Sequence, residues 1–176
     1  MAHAFGLLYA AGGLPSLGNV ILTNHRVRVH DTWCLRYPLT PGRHMRGAAF
    51  ARCSVGQVQF VAVASHLATD DAERLGQARV LKAAMSGLDA PVIFGADLNE
   101  TATGESWKLL ADGLVDAGAD GDEPTFSINS PNRRIDAIMV DPRCRIERFE
   151  VNDSLDVRRA SDHFPIVSDV ALPVLT

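Results

Sequence analysis

Pro91-Val-Ile-Phe-Gly-Ala-Asp97-Leu-Asn99 is the stretch on which the fold turns. The residues from Pro91 to Gly95 are too few and too uniformly apolar for an amphipathic helix, so they predict a short buried strand. Asp97 and Asn99 follow directly, so a carboxylate and an amide leave a buried strand end two residues apart, pointing the same way in extended chain. Hard oxygen groups at that spacing can hold a cation or orient a water, and the same pair can instead form an Asx turn before the next element.

Working outward, the sequence alternates between two periods. On the N-terminal side, Asp70 to Met85 places Ala72, Leu75, Ala78, Leu81 and Met85 on one face, with Asp70 and Asp71 favouring the start, and predicts a helix. Before it, Arg46 to Ser54 and Gln57 to Ser65 read as two strands of a hairpin around Val55-Gly56. Asn19 to Thr23 is a further strand, after a turn at Gly12-Gly13-Leu14-Pro15-Ser16, and the residues between it and Arg46, with Pro38 and Pro41, read as irregular. On the C-terminal side, Thr103 to Leu110 predicts a second helix, with Trp107, Leu110 and Leu114 at helical spacing and Gly113 near its end. Arg134 to Val140, Arg145 to Val151 and Phe164 to Leu172 then read as strands. Strands outnumber helices, which points to sheets packed on each other and flanked by helices rather than one doubly wound sheet.

The 176 residues are 47% hydrophobic and show no repeat, low-complexity tract or linker, which predicts a single domain over residues 1–176. A formal charge of −4 provides no general field for nucleic acid, so a polyanion would have to be met by a local basic patch or by cations. Arg133-Arg134 and Arg158-Arg159 are candidates for such a patch, with solvated loop charge as the plainer reading. Cys34, Cys53 and Cys144 lie far apart without metal-ligand spacing and read as buried free thiols. No apolar run reaches the roughly 20 residues of a membrane span. The opening residues lack the Lys/Arg-rich start of a signal peptide, which slightly favours the cytoplasm and leaves the compartment otherwise open.

Three more positions carry chemistry. Asp136 interrupts the apolar strand Ile135-Asp-Ala-Ile-Met-Val140, where a charge must be paired; Arg133 or Arg134 is one partner, and a histidine that it orients is another. Ser161-Asp162-His163 sets an acid and an imidazole where a turn enters a strand, and a turn-forming Asp in a solvated loop explains the same residues. His66 ends the apolar strand Phe60-Val-Ala-Val-Ala-Ser65, where a polar tip can face a cleft or simply be satisfied structurally. His3, His25, His30 and His44 read as surface or loop residues.

In their order along the chain these segments resemble the endonuclease/exonuclease/phosphatase superfamily, whose members include DNase-I-like nucleases, abasic-site endonucleases, sphingomyelinases and inositol polyphosphate phosphatases. Ser65-His66-Leu67 resembles its strand-end histidine motif, and Gly95-Ala-Asp97-Leu-Asn99 its GDxN motif. Thr125-Phe126 with Arg134-Ile135-Asp136-Ala-Ile138 resembles its TF…RIDYI segment, and Ser161-Asp162-His163-Phe-Pro165 its terminal SDHxP. Gly18-Asn-Val-Ile-Leu22 and Arg46-Gly-Ala-Ala49 match weaker upstream patterns. The resemblance implies an α/β (α+β) four-layer sandwich, two mainly antiparallel sheets flanked by helices, with a site where strand ends converge.

It also implies a phosphoesterase, more a phosphodiesterase than a monoesterase, acting on a phosphate-ester substrate of nucleic-acid or phospholipid type with Mg²⁺, or Mn²⁺ or Ca²⁺. By that resemblance Asp97 positions the attacking water with Asn99, and Asp97, Asn99 and Asp162 bind the cation. His163, held by Asp136, and His66 hydrogen-bond the phosphoryl oxygens, with Arg46 as a further phosphate contact.

The sequence departs from the family in two places. Ala96 stands where the family has Gly, which is mild where φ is negative. The strand with an Asn and the segment with a metal-binding Glu that normally precede the Gly18-Asn19 region have no counterpart, since the first seventeen residues contain no acid. The expectation is therefore a sandwich truncated at its N-terminus. Its exposed sheet edge would favour a homo-oligomer, and its alternative role is that of a catalytically impaired fragment or binding module of the same fold. Glu100, Glu105 and Asp70 are conceivable replacement ligands.

Overall fold

The computed structural model describes residues 8–12, 16–121 and 123–173. The expected turn at residues 12–16 falls partly outside them, as do His3 and the start of the chain. The centre is a six-stranded sheet in the order β3-β4-β5-β6-β8-β7. Its strands are β3 (Arg28–Arg36), β4 (Gly47–Val55), β5 (Val58–His66), β6 (Val92–Asp97), β7 (Val115–Asp116) and β8 (Asp136–Val140). All neighbours are antiparallel except β5 and β6. The β4–β5 hairpin closes on Gly56, whose φ of +59° suits glycine. The parallel pair needs a long crossover, which α1 (Asp71–Ser86) supplies.

Side chains alternate across the sheet. One face carries Ala48, Phe50, Val61, Val63, Phe94, Ala137 and Met139, and packs under α1 and α2 (Glu105–Ala111) through Leu81, Met85, Trp107 and Leu110. The opposite face presents Ala49, Ala51, Cys53 and Phe60 to Ala11 and Ile21. Those two residues belong to an antiparallel ribbon of β1 (Leu8–Gly12) and β2 (Val20–Thr23). A second ribbon, β9 (Arg145–Val151) with β10 (Ile166–Ala171), meets the sheet at β8. The mixed α/β architecture with mainly antiparallel sheets agrees with the expectation, and the second β layer consists of these two ribbons. No helix among the described residues is long and apolar enough to cross a membrane.

Several expectations need correction. The stretch read as irregular contains β3, an edge strand whose side chains are mostly exposed and therefore show little apolar alternation. Trp33 on β3 stacks on Phe50 of β4, with ring centroids 5.1 Å apart. The short β7 and α3 (Val157–Ala160) were also not expected. On α1, Asp70 caps the start by accepting the Glu73 N–H at 3.1 Å, as its position predicts. The buried face, however, carries Arg74 and Gln77 with Ala78, Leu81 and Met85, while Ala72 is exposed. Both polar residues serve the loop that follows β5: Gln77 Oε1 accepts the Ala68 N–H at 2.8 Å, and Arg74 donates to the Ala68 and Thr69 carbonyls. Cys53 and Cys144 are buried free thiols, but Cys34 on the edge strand is exposed. Arg134 is neither a rim phosphate contact nor solvated charge: it is 3% exposed, paired with Asp116 and stacked on Trp107.

Candidate active site

The site is a consequence of strand register. His66 lies opposite Asp97 in the parallel β5–β6 pair, and Asp97 lies opposite Asp136 in the antiparallel β6–β8 pair. Counting by twos from Phe60, Ile93 and Ile138 puts all three side chains on the face away from the helices. An imidazole and two carboxylates therefore form one row at the rim where β5 and β6 end and β8 begins. Beyond the row, Leu67 and Leu98 turn into the core at 0% exposure, their N–H groups donating to the Asp97 and Ile135 carbonyls.

Asp97 makes the Asx turn that its spacing offered while keeping its place in the row. Asn99 has a φ of +51°, a conformation that Asn tolerates, and its N–H donates to Asp97 Oδ1 at 2.8 Å. Its side-chain Nδ2 donates to the Leu67 carbonyl at 2.9 Å, joining the loops after β5 and β6. Ala96, the departure from Gly, is not among the positive-φ residues and packs on the helix-side core. Asp97 Oδ2 meets His66 Nε2 at 3.1 Å and lies 3.9 Å from His163 Nε2. Burial would push the Asp97 carboxyl up, but the hydrogen bonds from His66 and the Asn99 N–H, with the nearby imidazoles, hold it below its ordinary range.

His163 arrives from the opposite side of the row. The Phe164 N–H donates to the Thr125 carbonyl and the Ile128 N–H to the Asp162 carbonyl, which pins this segment to the 125–128 loop. His163 Nδ1 donates to Asp136 Oδ2 at 2.9 Å, and Phe126 covers the ring at 4.8 Å between centroids. The partner of Asp136 is thus this histidine and not Arg133 or Arg134. Burial would lower the His163 pKa, but the Asp136 hydrogen bond and the charges of Asp136, Asp97 and Asp162 raise it above 6.5. Asp136 itself is pushed above 3.8 by burial and by Asp97, against hydrogen bonds from Thr125 and His163. Thr125, fully buried, also accepts the Ile135 and Asp136 N–H groups, and so seats the start of β8.

Arg46 precedes β4 and donates from Nη1 to His66 Nδ1 at 2.8 Å. Asp162 is exposed, and its carboxylate lies outside the closest polar group. That group comprises Asp97, Asp136 and His163, with one ligand atom of each within 4.8 Å of the others. A carboxylate has about four lone-pair positions, and the contacts at Asp97 leave some free, so the donor set fits a hard cation held through few protein oxygens and several waters. Two of the three conceivable replacement ligands are engaged elsewhere. Glu100 accepts from Arg74 and from the Trp107 N–H, Asp70 caps α1 and pairs with Arg43, and Glu105 is exposed in the first turn of α2. Beside the row opens a cleft of about 480 Å³ lined by Gly95, Asp97, Asp136, Ile138, His163 and Pro165.

The sequence offered no bracing role for Tyr37, Ser65, Arg74 or Glu100, whose hydrogen bonds tie together the segments behind the row. The only sequence signal for Arg74 and Glu100 is a charged residue on an otherwise apolar helix face and an acid a few residues before a helix.

A family model described as the Endonuclease/Exonuclease/phosphatase family matches residues 3–163. A search of curated proteins finds no match. Among solved structures, the chain is similar to a Bacteroides thetaiotaomicron mannosyl-6-phosphatase, with a TM-score of 0.80 and 19% identity over 95% of this chain and 78% of that one. It is also similar to D. rerio TDP2 complexed with a single-strand DNA product, with a TM-score of 0.78 and 22% identity over 95% and 78%. A third similar structure is the human Nocturnin catalytic domain with bound sulfate, with a TM-score of 0.74 and 18% identity over 96% and 73%.

Proposed function

This chain belongs to the endonuclease/exonuclease/phosphatase family, and from that premise we propose that it is a divalent-cation-dependent phosphoesterase that hydrolyses a phosphodiester by in-line attack of water. The observation that carries the proposal is the row itself. A half-buried carboxylate kept ionised, Asp97, stands between two imidazoles, one of which is held toward its cationic form by Asp136.

Phosphoryl transfer needs positioning and a preorganised electrostatic shell more than covalent chemistry. Asp97 accepts a hydrogen bond from the attacking water and orients it toward phosphorus, with the uncommitted amide groups of Asn99 fixing the approach. His163 Nε2–H, pushed forward by Asp136 at Nδ1, donates to a phosphoryl oxygen as charge develops. Arg46 presents a planar donor fork beside the row for another oxygen. Asp97, with Asn99 and Asp162, would hold Mg²⁺, Mn²⁺ or Ca²⁺, which supplies neutralisation of charge on the transferring group. The similar structures include a mannosyl-6-phosphatase and a protein complexed with a single-strand DNA product, and our reading of the substrate is a nucleic-acid or phospholipid-type diester. A homo-oligomer through β3, the terminal strand of the sheet among the described residues, belongs to the same reading and predicts a dimer mass in light scattering; a monomer at high concentration removes it.

The test is turnover of a generic phosphodiester and a generic phosphomonoester by the purified chain, with Mg²⁺, with Mn²⁺ and with chelator. Cation-dependent turnover favouring the diester is expected. The second reading, a binding module of the same fold, draws on the engagement of Glu100 and Asp70 elsewhere. It predicts a folded chain that binds phosphate esters without turnover.

A further inference from the structure

We propose that Arg46 is a positioning residue that fixes the tautomer of His66 and, through it, aims Asp97, a role separate from any contact it makes with substrate. An arginine side chain only donates. With Nη1 at 2.8 Å from His66 Nδ1, that nitrogen must accept, so the ring carries its proton on Nε2. Nε2 lies 3.1 Å from Asp97 Oδ2 and donates to it. The opposite tautomer would set two donors against each other at Nδ1 and a bare nitrogen against a carboxylate at Nε2. Turning the ring over would place carbons at both partners. Both ring nitrogens are thus engaged, and His66 meets the site through Asp97.

The fold holds Arg46 in place with some care. The Tyr37 N–H donates to the Arg46 carbonyl at 3.0 Å. The next residue, Gly47, has a carbonyl that accepts from Ser65 Oγ at 3.1 Å and from Asn19 Nδ2 at 2.9 Å. Tyr37 Oη lies 2.7 Å from the same Ser65 hydroxyl. A Cβ at position 47 would sit 2.5 Å from the Leu35 carbonyl oxygen, so only glycine lets β3 and β4 approach here. Ser65 and His66 are adjacent and point to opposite faces, so one strand end carries both the anchor of the Arg46 segment and the ring it addresses. The two histidines beside Asp97 are backed by opposite charges, His163 by Asp136 and His66 by Arg46.

Long-range ¹H–¹⁵N NMR correlations on protein labelled at histidine nitrogens test this, with the His66 signals identified by their loss in His66→Gln. In the native chain His66 should show a protonated Nε2 and a bare, acceptor-type Nδ1. Arg46→Met should give a mixture of tautomers, and Arg46→Lys, which keeps a donor-only cation, should retain the native pattern. The unchanged signals of the other histidines report folding. An Nδ1–H tautomer in the native chain, or no change in Arg46→Met, overturns the inference. A kinetic arm rests on the proposed phosphoesterase activity: Arg46→Met should lower kcat about 10–100-fold, as loss of a supporting contact does, with KM little changed. A rise in KM alone with the tautomer intact makes Arg46 a plain phosphate contact and also overturns it. The spectroscopic arm needs no turnover, so failure of the activity and failure of the tautomer lock are told apart.

Discussion

Replacing Asp116 with Ala should destabilise the chain, because it takes a bidentate carboxylate away from a buried guanidinium. Arg134 Nη1 and Nη2 donate to Asp116 Oδ1 and Oδ2 at 3.0 and 2.8 Å, with the two side chains 2% and 10% exposed. Removing one partner of a buried ion pair typically costs about 3–5 kcal/mol. Trp107 still faces the guanidinium, with Cζ 4.6 Å from the ring centroid, and that cation–π contact softens the loss. The expected value is therefore the lower end, about 3 kcal/mol, equivalent to roughly 6–12 °C in Tm at 2–4 °C per kcal/mol for a chain of this size. Urea denaturation followed by fluorescence reads the difference directly. Arg134→Met, which removes the charge while keeping much of the volume, should cost clearly less than Asp116→Ala. A loss below about 1 kcal/mol in Asp116→Ala, the range of solvated surface pairs, would refute the buried setting of Arg134 between Asp116 and Trp107.

Two further outcomes follow from the site. The raised pKa of His163 means that the stability from its pairing with Asp136 is fully present below the unfolded value of about 6.5 and is lost as pH rises through the higher folded value. The alkaline limb of kcat/KM should accordingly lie above 6.5, and in Asp136→Asn it should move down while the rate falls about 10²–10⁴-fold; an unmoved limb would remove His163 as the titrating group. Gly47→Ala forces a Cβ to 2.5 Å from the Leu35 carbonyl oxygen and should cost about 1–3 kcal/mol in urea denaturation, an effect that unchanged stability would contradict.

The sequence showed the parts of the fold that bury a regular apolar pattern. The strands around Phe50, Val61 and Phe94, the helix ending near Met85 and the one holding Trp107 all appear within a few residues of their expected positions. β3 escaped because an edge strand faces solvent with residues such as Arg28, His30, Asp31 and Arg36, which carry no core signal. The α1 face was misread for a related reason. Arg74 and Gln77 are buried by hydrogen bonds to the loop after β5, and periodicity weighs only apolarity. At the site, the residue types were visible as polar interruptions at strand ends. Their juxtaposition was not, because His66, Asp97 and Asp136 become neighbours only through the pairing register of three strands far apart in sequence. Asp136 shows the limit clearly: the sequence requires a partner for it but places two arginines closer along the chain than the histidine that it holds.

The most direct test of the account is the rate of phosphodiester hydrolysis as Mg²⁺ or Mn²⁺ is titrated into the folded chain and into Asp97→Ala. Turnover that rises and saturates with the cation, and falls by at least about 10²-fold in the variant, is the predicted result. A folded native chain without cation-dependent turnover, or an Asp97→Ala variant as active as the native chain, would contradict the claim that this row of strand-end residues is a hydrolytic site.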